Sequence, residues 1–309
     1  MPAVHCTDLN SVAAFLGFAP QHVYYLVQNA DRMYTSIEIP KRRDKNQKRI
    51  IDIPYSELKG IQRAINKKVL SRFAISEHAH SYVAGKSILT ATRNFCGGKA
   101  VLEMDIEKFF PSITFSRVMG LFVSLGFNHN SAFILSKLCT KDNILCQGSP
   151  TSPTISNLIL RKLDTQLFNI SQKWELGYLR YSDDLFFYQS RNFNHPQFSN
   201  IVTSLVRYSG FKVNVDKTIF HPRGKPRITL GLLTHGDNPR IPGLSRKKYR
   251  SMFYKASTNL HWAQENKILL KGILEWHQIV NGKDETYHRY KKIYDNIDLI
   301  KLHYAYKSI

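Results

Sequence analysis

Tyr181-Ser182-Asp183-Asp184 lies between two short apolar runs, Leu176-Gly177-Tyr178-Leu179 and Leu185-Phe186-Phe187-Tyr188. Apolar and aromatic residues on both sides of a short polar centre predict a β-hairpin with its tip at or near Ser182-Asp183. Adjacent carboxylates at such a tip repel each other, and strand pairing has no use for them. A divalent cation relieves that repulsion, and hard oxygen ligands suit Mg²⁺ or Mn²⁺. Taken alone, the pair reads sooner as a solvated Asp-Asp turn; the rest of the chain changes that reading.

Upstream, Ala100-Val101-Leu102-Glu103-Met104-Asp105-Ile106 reads as a buried strand carrying Asp105. A carboxylate in an apolar strand is costly unless paired or bound to metal, which makes Asp105 the natural third ligand beside Asp183 and Asp184. Phe109-Phe110-Pro111-Ser112 follows, then helices are predicted over 116–125, capped by Ser116, and over about 130–139. The loop Cys146-Gln147-Gly148-Ser149-Pro150-Thr151-Ser152-Pro153 feeds a helix to about Trp174. Gly148 lets the backbone approach a ligand closely, and the free amides of a helix N-terminus favour anions. By itself this loop is only a capping sequence. Downstream, a helix is expected over 196–209 with Gly210 as its stop, then strand Phe211–Val215, Lys217-Thr218 and an apolar strand Ile228–Leu233.

The N-terminal part reads as two short helices, Leu9–Leu16 capped by Asp8 or Thr7 and Gln21–Gln28 opened by Pro20. A hairpin is predicted from Tyr34–Ile39 and Arg49–Ile53. Its turn, Lys41 to Lys48, is strongly basic. That turn is either a solvated loop or a flap whose Lys and Arg hold phosphates. A long helix is expected from Ser56 to about Arg72, with Leu58, Ile61, Ile65, Val69 and Leu70 inward. Residues 77–95 look less regular. Their His78-Ala79-His80 lacks a nearby third ligand and reads as a loop touching template or core. From Leu244 onward the pattern is helical. Residues 241–309 hold 13 Lys+Arg against 6 Asp+Glu, a net of +7, led by Arg246-Lys247-Lys248-Tyr249-Arg250.

The whole chain of 309 residues is 43% hydrophobic, so it is globular and long enough for more than one lobe. Its 44 Lys+Arg against 23 Asp+Glu give a formal charge of +21, which calls for a polyanionic partner, nucleic acid or an acidic membrane surface. No apolar run reaches the ~18 residues of a membrane span. The first ten residues lack a signal-peptide pattern. Cys6, Cys96, Cys139 and Cys146 form neither a CxxC pair nor zinc spacing, so free thiols and a cytoplasmic location are expected.

In order along the chain, Asp105, Gln147-Gly148-Ser149-Pro150-Thr151-Ser152-Pro153, Tyr181-Ser182-Asp183-Asp184 and Gly210-Phe211-Lys212-Val213-Asn214-x-x-Lys217-Thr218 resemble the successive motifs of reverse transcriptases. Within that superfamily the chain is most similar to bacterial retron enzymes. The Gln-Gly-x-Pro-x-Ser-Pro loop is shared with retron and group II intron enzymes. Two retron hallmarks are altered: Asn-Ala-x-x-His corresponds to Thr90-Ala91-Thr92-Arg93-Asn94, and Val-Thr-Gly to Ile228-Thr229-Leu230-Gly231.

The resemblance implies an α+β right-hand polymerase. Residues 1–99 would be N-terminal helices and fingers, 100–240 a palm of antiparallel sheet and helices with finger helices at about 116–145, and 241–309 a basic helical thumb. It implies attack of a primer hydroxyl on the α-phosphate of a dNTP, with two Mg²⁺ ions, replaceable by Mn²⁺, about 3.5–4 Å apart. Asp105 and Asp183 would bridge the ions, with Asp184 and the carbonyl of Ile106 as further oxygens. Phe110 would be the steric gate that rejects a ribose 2′-OH, and Phe109 a core residue. Gln147 and Gly148 would line the dNTP pocket, Arg49 and Lys41 would hold triphosphate oxygens, and Lys217 would sit near the pyrophosphate. Tyr181 would touch primer or template, and Arg246, Lys247, Lys248 and Arg250 the nucleic-acid phosphates. A retron enzyme would copy part of a structured noncoding RNA into branched RNA-linked DNA, in anti-phage defence with an effector toxin. The alternatives are a group II intron-like or other defence-associated reverse transcriptase, and a non-catalytic RNA-binding protein on a polymerase scaffold.

Overall fold

Short-range rules set most element boundaries. The computed structural model describes residues 6–40 and 48–307. Asp8 caps α1 (Leu9–Leu16) through a reciprocal capping box: its carboxylate accepts from the Ser11 amide at 2.8 Å, and Ser11 Oγ accepts from the Asp8 amide at 3.0 Å. Pro20 opens α2 (Pro20–Asn29), where its missing amide leaves nothing unpaired. Strands β1 (Tyr34–Pro40) and β2 (Lys48–Pro54) pair antiparallel, with Tyr34 opposite Pro54 and Ile39 opposite Arg49. Helix α3 (Ser56–Lys68) starts from Tyr55 instead of a Ser56 cap. It gives way to a 3₁₀ turn at Leu70–Arg72, short of the predicted end.

Helix α4 (Ile88–Arg93) interrupts the stretch that reads as irregular. A Ser87–Thr90 capping box starts it, and a Thr in place of the usual Glu or Gln hides the signal. Every residue of β3 (Ala100–Ile106) is buried. The one-turn α5 (Phe109–Ser112) follows. Helices α6 (Phe115–Ser124) and α7 (His129–Cys139) begin one residue earlier than expected, because Thr114 and Asn128 occupy the cap positions. Helix α8 (Ser152–Lys173) buries Leu160, Leu163, Asp164, Leu167 and Ser171, a stripe at helical spacing that includes one acid.

The predicted hairpin is formed by β4 (Gly177–Tyr181) and β5 (Asp184–Gln189). Helix α9 (His195–Tyr208) leads to β6 (Val213–His221), which runs further than its apolar residues indicated. The segment read as one apolar strand is instead folded on itself. Strands β7 (Ile228–Thr229) and β8 (Leu232–Leu233) pair across Leu230 (φ +50°) and Gly231 (φ +82°). Positive φ at both central residues is the turn that matches strand twist. Four helices complete the chain, α10 (Gly243–Thr258), α11 (Leu260–Glu265), α12 (Lys267–Asn281) and α13 (Glu285–Lys307).

The larger sheet has the strand order β4-β5-β3-β6, which places β3 beside the hairpin's second strand. The chain divides into two compact units. The first comprises residues up to Lys86, Leu102–Phe187 and Asn194–Ile219; the second comprises Ser87–Val101, Tyr188–Phe193 and the chain from Phe220 onward. Leu58, Ile61, Ile65, Phe122, Phe186, Phe187 and Phe198 are fully buried in the first. In the second, Phe253 and Tyr290 stack with centroids 4.0 Å apart among Leu270, Ile273, Leu274 and Tyr287. All four cysteines are buried free thiols. Among the described residues, no helix is long and apolar enough to cross a membrane.

Candidate active site

The β4–β5 turn is held in a conformation its sequence would not choose. Ser182 has φ +60°, a region that costs a non-glycine residue about 1–3 kcal/mol. Three hydrogen-bonding groups surround it. The Ser182 amide donates to Ser81 Oγ at 2.7 Å, Arg180 Nη1 donates to the Ser182 carbonyl at 3.1 Å, and the Tyr82 and Ser182 hydroxyls lie 3.4 Å apart. Arg180 is wholly buried and makes a two-pronged pair with Asp164, both distances 2.8 Å. Its Nη1 also donates to Asn157 Oδ1 at 3.0 Å, and Asn157 Nδ2 donates to the Ser81 carbonyl at 3.0 Å. Sequence reading missed Ser81, Asn157, Asp164 and Arg180. The available signals were an arginine inside apolar β4 and an aspartate on the buried stripe of α8, since each needs a partner.

Asp105 comes to this turn through backbone pairing: the Ile106 amide donates to the Asp183 carbonyl at 2.9 Å. Asp105 is 5% exposed, and Lys217 on β6 reaches it at 2.6 Å. Lys217, expected near a pyrophosphate, thus supplies the positive charge at Asp105. Glu103, two residues back on the same face of β3, is also buried and was likewise missed by sequence reading. The carboxyl of Asp184 is pushed up to about 8 by burial first, then by Asp183, Glu103 and Asp105. That of Asp183 is raised by burial and by Asp105. Asp105, Asp183 and Asp184 therefore repel one another at one turn, with the Lys217 ammonium on Asp105.

The donor chemistry, hard carboxylate oxygens that repel one another, fits a divalent ion. Among the described residues, no three His, Cys, Asp or Glu side chains are grouped so as to hold a metal ion. His78 and His80 do other work: His78 stacks on Phe168 with centroids 4.2 Å apart, and burial lowers His80 to about 4.

The remaining predicted residues are distributed over the two units. Phe110 is buried on α5, its ring 5.2 Å from that of Phe109. Tyr181 ends β4, its phenol raised by burial and by Tyr82. Arg49 is exposed on β2, and Lys41 lies outside the described residues. The Gln147 carbonyl accepts from the Asp52 amide at 2.7 Å, which ties the loop to the β1–β2 hairpin. Lys141 and Ser36 meet the Asp52 carboxylate, each at 2.6 Å.

Gly148 is therefore crowded by the chain itself. A Cβ there would lie 2.4 Å from the Asp52 carbonyl oxygen, at φ +120°. Gly148→Ala is expected to destabilise the first unit by about 2 kcal/mol or more, read by urea unfolding. Unchanged stability would mean that the loop and β2 separate freely.

In the second unit, Arg246, Lys247, Lys248 and Arg250 are on α10, whose core side carries Tyr249, Met252, Phe253 and Ala256. Arg246 stands apart from the other three. With Arg93, Arg240, Asn281 and Asp284 it lines a polar cleft of ≈ 420 Å³.

Residues 39–249 match the family described as reverse transcriptase (RNA-dependent DNA polymerase). The retron Ec86 reverse transcriptase of Escherichia coli is 31% identical over 228 residues, covering 74% of this chain and 70% of that protein. The retron Mx65 reverse transcriptase of Myxococcus xanthus is 30% identical over 245 residues, covering 71% and 57% respectively. The retron Mx162 enzyme of the same organism is 32% identical over 237 residues, covering 68% and 48%. The chain thus spans from about half to 70% of the length of these relatives. Among solved structures, telomerase from Candida albicans with a fragment of telomeric RNA matches at TM-score 0.46 and 10% identity, covering 91% of this chain and 64% of that one. A family match over most of the chain, together with the Ec86 likeness, means that this protein belongs to the reverse transcriptases, in their retron branch, and has the right-hand polymerase fold.

Proposed function

We propose that this protein is an RNA-directed DNA polymerase that extends a primer hydroxyl with dNTPs on an RNA template. The observation that carries the reading is the hydrogen bond from the Ile106 amide to the Asp183 carbonyl, which sets Asp105 beside the Asp183-Asp184 turn. Asp105, Asp183, Asp184 and the carbonyl of Ile106 would hold divalent ions. Bound there, such ions stabilise the attacking and leaving oxygens as Lewis acids. The chain's own part is positioning and exclusion. Phe110 closes the space beneath the sugar. Gln147 and Gly148 line the nucleotide pocket, with Arg49 and Lys41 toward the triphosphate. Lys217 keeps a cation at Asp105 and faces the departing pyrophosphate. Tyr181 meets the primer end. The division into fingers (1–99), palm (100–240, with finger helices at about 116–145) and thumb (241–309) belongs to the same reading.

The retron relatives support a finer proposal. The template is a structured noncoding RNA, the product is DNA joined to it by a branch, and the physiological role is anti-phage defence with an effector protein. Sequencing of copurified nucleic acid tests this: RNA covalently linked to a short DNA is expected. A primed RNA extended with dNTPs and Mg²⁺ tests the polymerase itself, and an RNA bound tightly but never extended would leave only an RNA-binding protein.

The cations of α10 would grip phosphates. Replacing Lys247 and Arg250 by Ala is expected to reduce the slope of log K against log salt by about 0.7 for each single-strand phosphate no longer held. Binding of the copurifying RNA across a salt series reads this out, and parallel lines would return these residues to a solvated face.

A further inference from the structure

Ser182 is clamped through both of its peptide groups by side chains that belong to no part of the proposed chemistry. Its amide donates to Ser81 Oγ at 2.7 Å. Its carbonyl accepts from Arg180 at 3.1 Å. The two arms are joined behind the turn: Arg180 donates to Asn157 at 3.0 Å, and Asn157 donates to the Ser81 carbonyl at 3.0 Å. Asp164 holds the guanidinium by both carboxylate oxygens, and the Tyr178 hydroxyl donates to Asp164 Oδ1 at 2.8 Å. The register is fixed from outside as well. The Arg180 amide donates to the His78 carbonyl and the His80 amide to the Arg180 carbonyl, each at 2.8 Å, a parallel bridge between Ala79 and Arg180. Arg180, Asp164, Asn157 and Ser81 are essentially fully buried.

Such a closed ring is more than a serine turn needs. A buried arginine–aspartate pair gains little stability over apolar packing of equal volume, whereas breaking one half of it is costly. What the ring supplies is direction. A serine relieved of these bonds is expected to relax from φ +60° to negative φ, and a change in that backbone angle re-aims the residue that follows it, Asp183. The ring opposes it with one donor, Arg180 of β4, and one acceptor, the hydroxyl of Ser81.

We infer that Arg180, Asp164, Asn157 and Ser81 form a latch that holds Ser182 at positive φ and so aims Asp183 and Asp184 at the ions and substrate. These are positioning residues, and their expected catalytic effect rests on the polymerase reading above. Groups behind metal ligands are commonly worth roughly 10–100-fold in affinity or rate.

The test uses the full chain with three variants: Ser81→Ala and Asn157→Ala, which leave the ion pair intact, and Arg180→Lys, which keeps its charge. Hydrogen exchange at the Ser182 amide is measured first, without metal or substrate. The latch predicts slow exchange in the wild type and at least roughly tenfold faster exchange in Ser81→Ala. Mn²⁺ affinity by electron paramagnetic resonance, kcat for dNTP incorporation and KM for the primed RNA follow. Mn²⁺ binding and kcat are expected to fall roughly 10–100-fold, with KM for the primed RNA unchanged. Loss of thermal stability alone, with Mn²⁺ affinity and kcat per folded molecule as in the wild type, overturns the proposal. So does Ser182 exchange that no variant alters. If Arg180→Lys fails to fold, the two uncharged variants decide. If exchange loosens as expected but the wild type never incorporates dNTP, the polymerase reading fails and the latch stands as a structural device.

Discussion

Asp183→Asn is expected to reduce dNTP incorporation on a primed RNA by about 10³-fold or more, the scale seen when one strong electrostatic partner of a transition state is removed. The substitution keeps shape and hydrogen-bonding capacity while removing one negative charge from a turn that carries too many. Burial and Asp105 already raise the Asp183 carboxyl, so the folded protein holds that charge reluctantly. Without metal, Asp183→Asn should therefore be at least as stable as the wild type, a combination that separates a functional site from a structural one. Added Mg²⁺ should raise the wild-type unfolding temperature, since an ion at ~100 times its Kd contributes about 2.7 kcal/mol. The variant should respond much less. Polymerisation at near the wild-type rate, or an equal response to Mg²⁺, would remove Asp183 from the site.

Phe110→Val is expected to raise rNTP incorporation relative to dNTP by roughly 10–100-fold, the range available to shape discrimination in an apolar pocket. The ring is buried on the one-turn helix α5, and its neighbour Phe109 packs on Phe211 with centroids 6.2 Å apart. The proposed gate assigns the two phenylalanines different roles, and Phe109→Val serves as the control. It should lower stability by opening a gap in that packing and leave sugar selectivity unchanged. If Phe110→Val lowers stability with the rNTP/dNTP ratio fixed, the gate lies elsewhere.

Local signals carried far in this chain. The carboxylate hairpin, the Asp8 cap, the Pro20 start and the buried strand around Asp105 were all legible, because capping and period-two patterning depend on neighbours within about four residues. Even the local signals failed where an atypical residue carried them, as with Thr90 in a capping box or Leu230 at positive φ in a turn that reads as strand. What the sequence alone determined is the set of chemical groups and their order: three carboxylates, a glycine loop, basic helices and the reverse transcriptase motifs. The tertiary structure decided which groups meet. Ser182 finds Ser81 across 101 residues, Lys217 finds Asp105 across 112, and Gly148 is crowded by Asp52 of another element. Arg180 and Asp164, on adjoining elements, become a buried pair only because β4 packs on α8. The physical reason is that a polar or charged group that has left water must find a partner. Chain folding brings that about over distances on which sequence periodicity is silent.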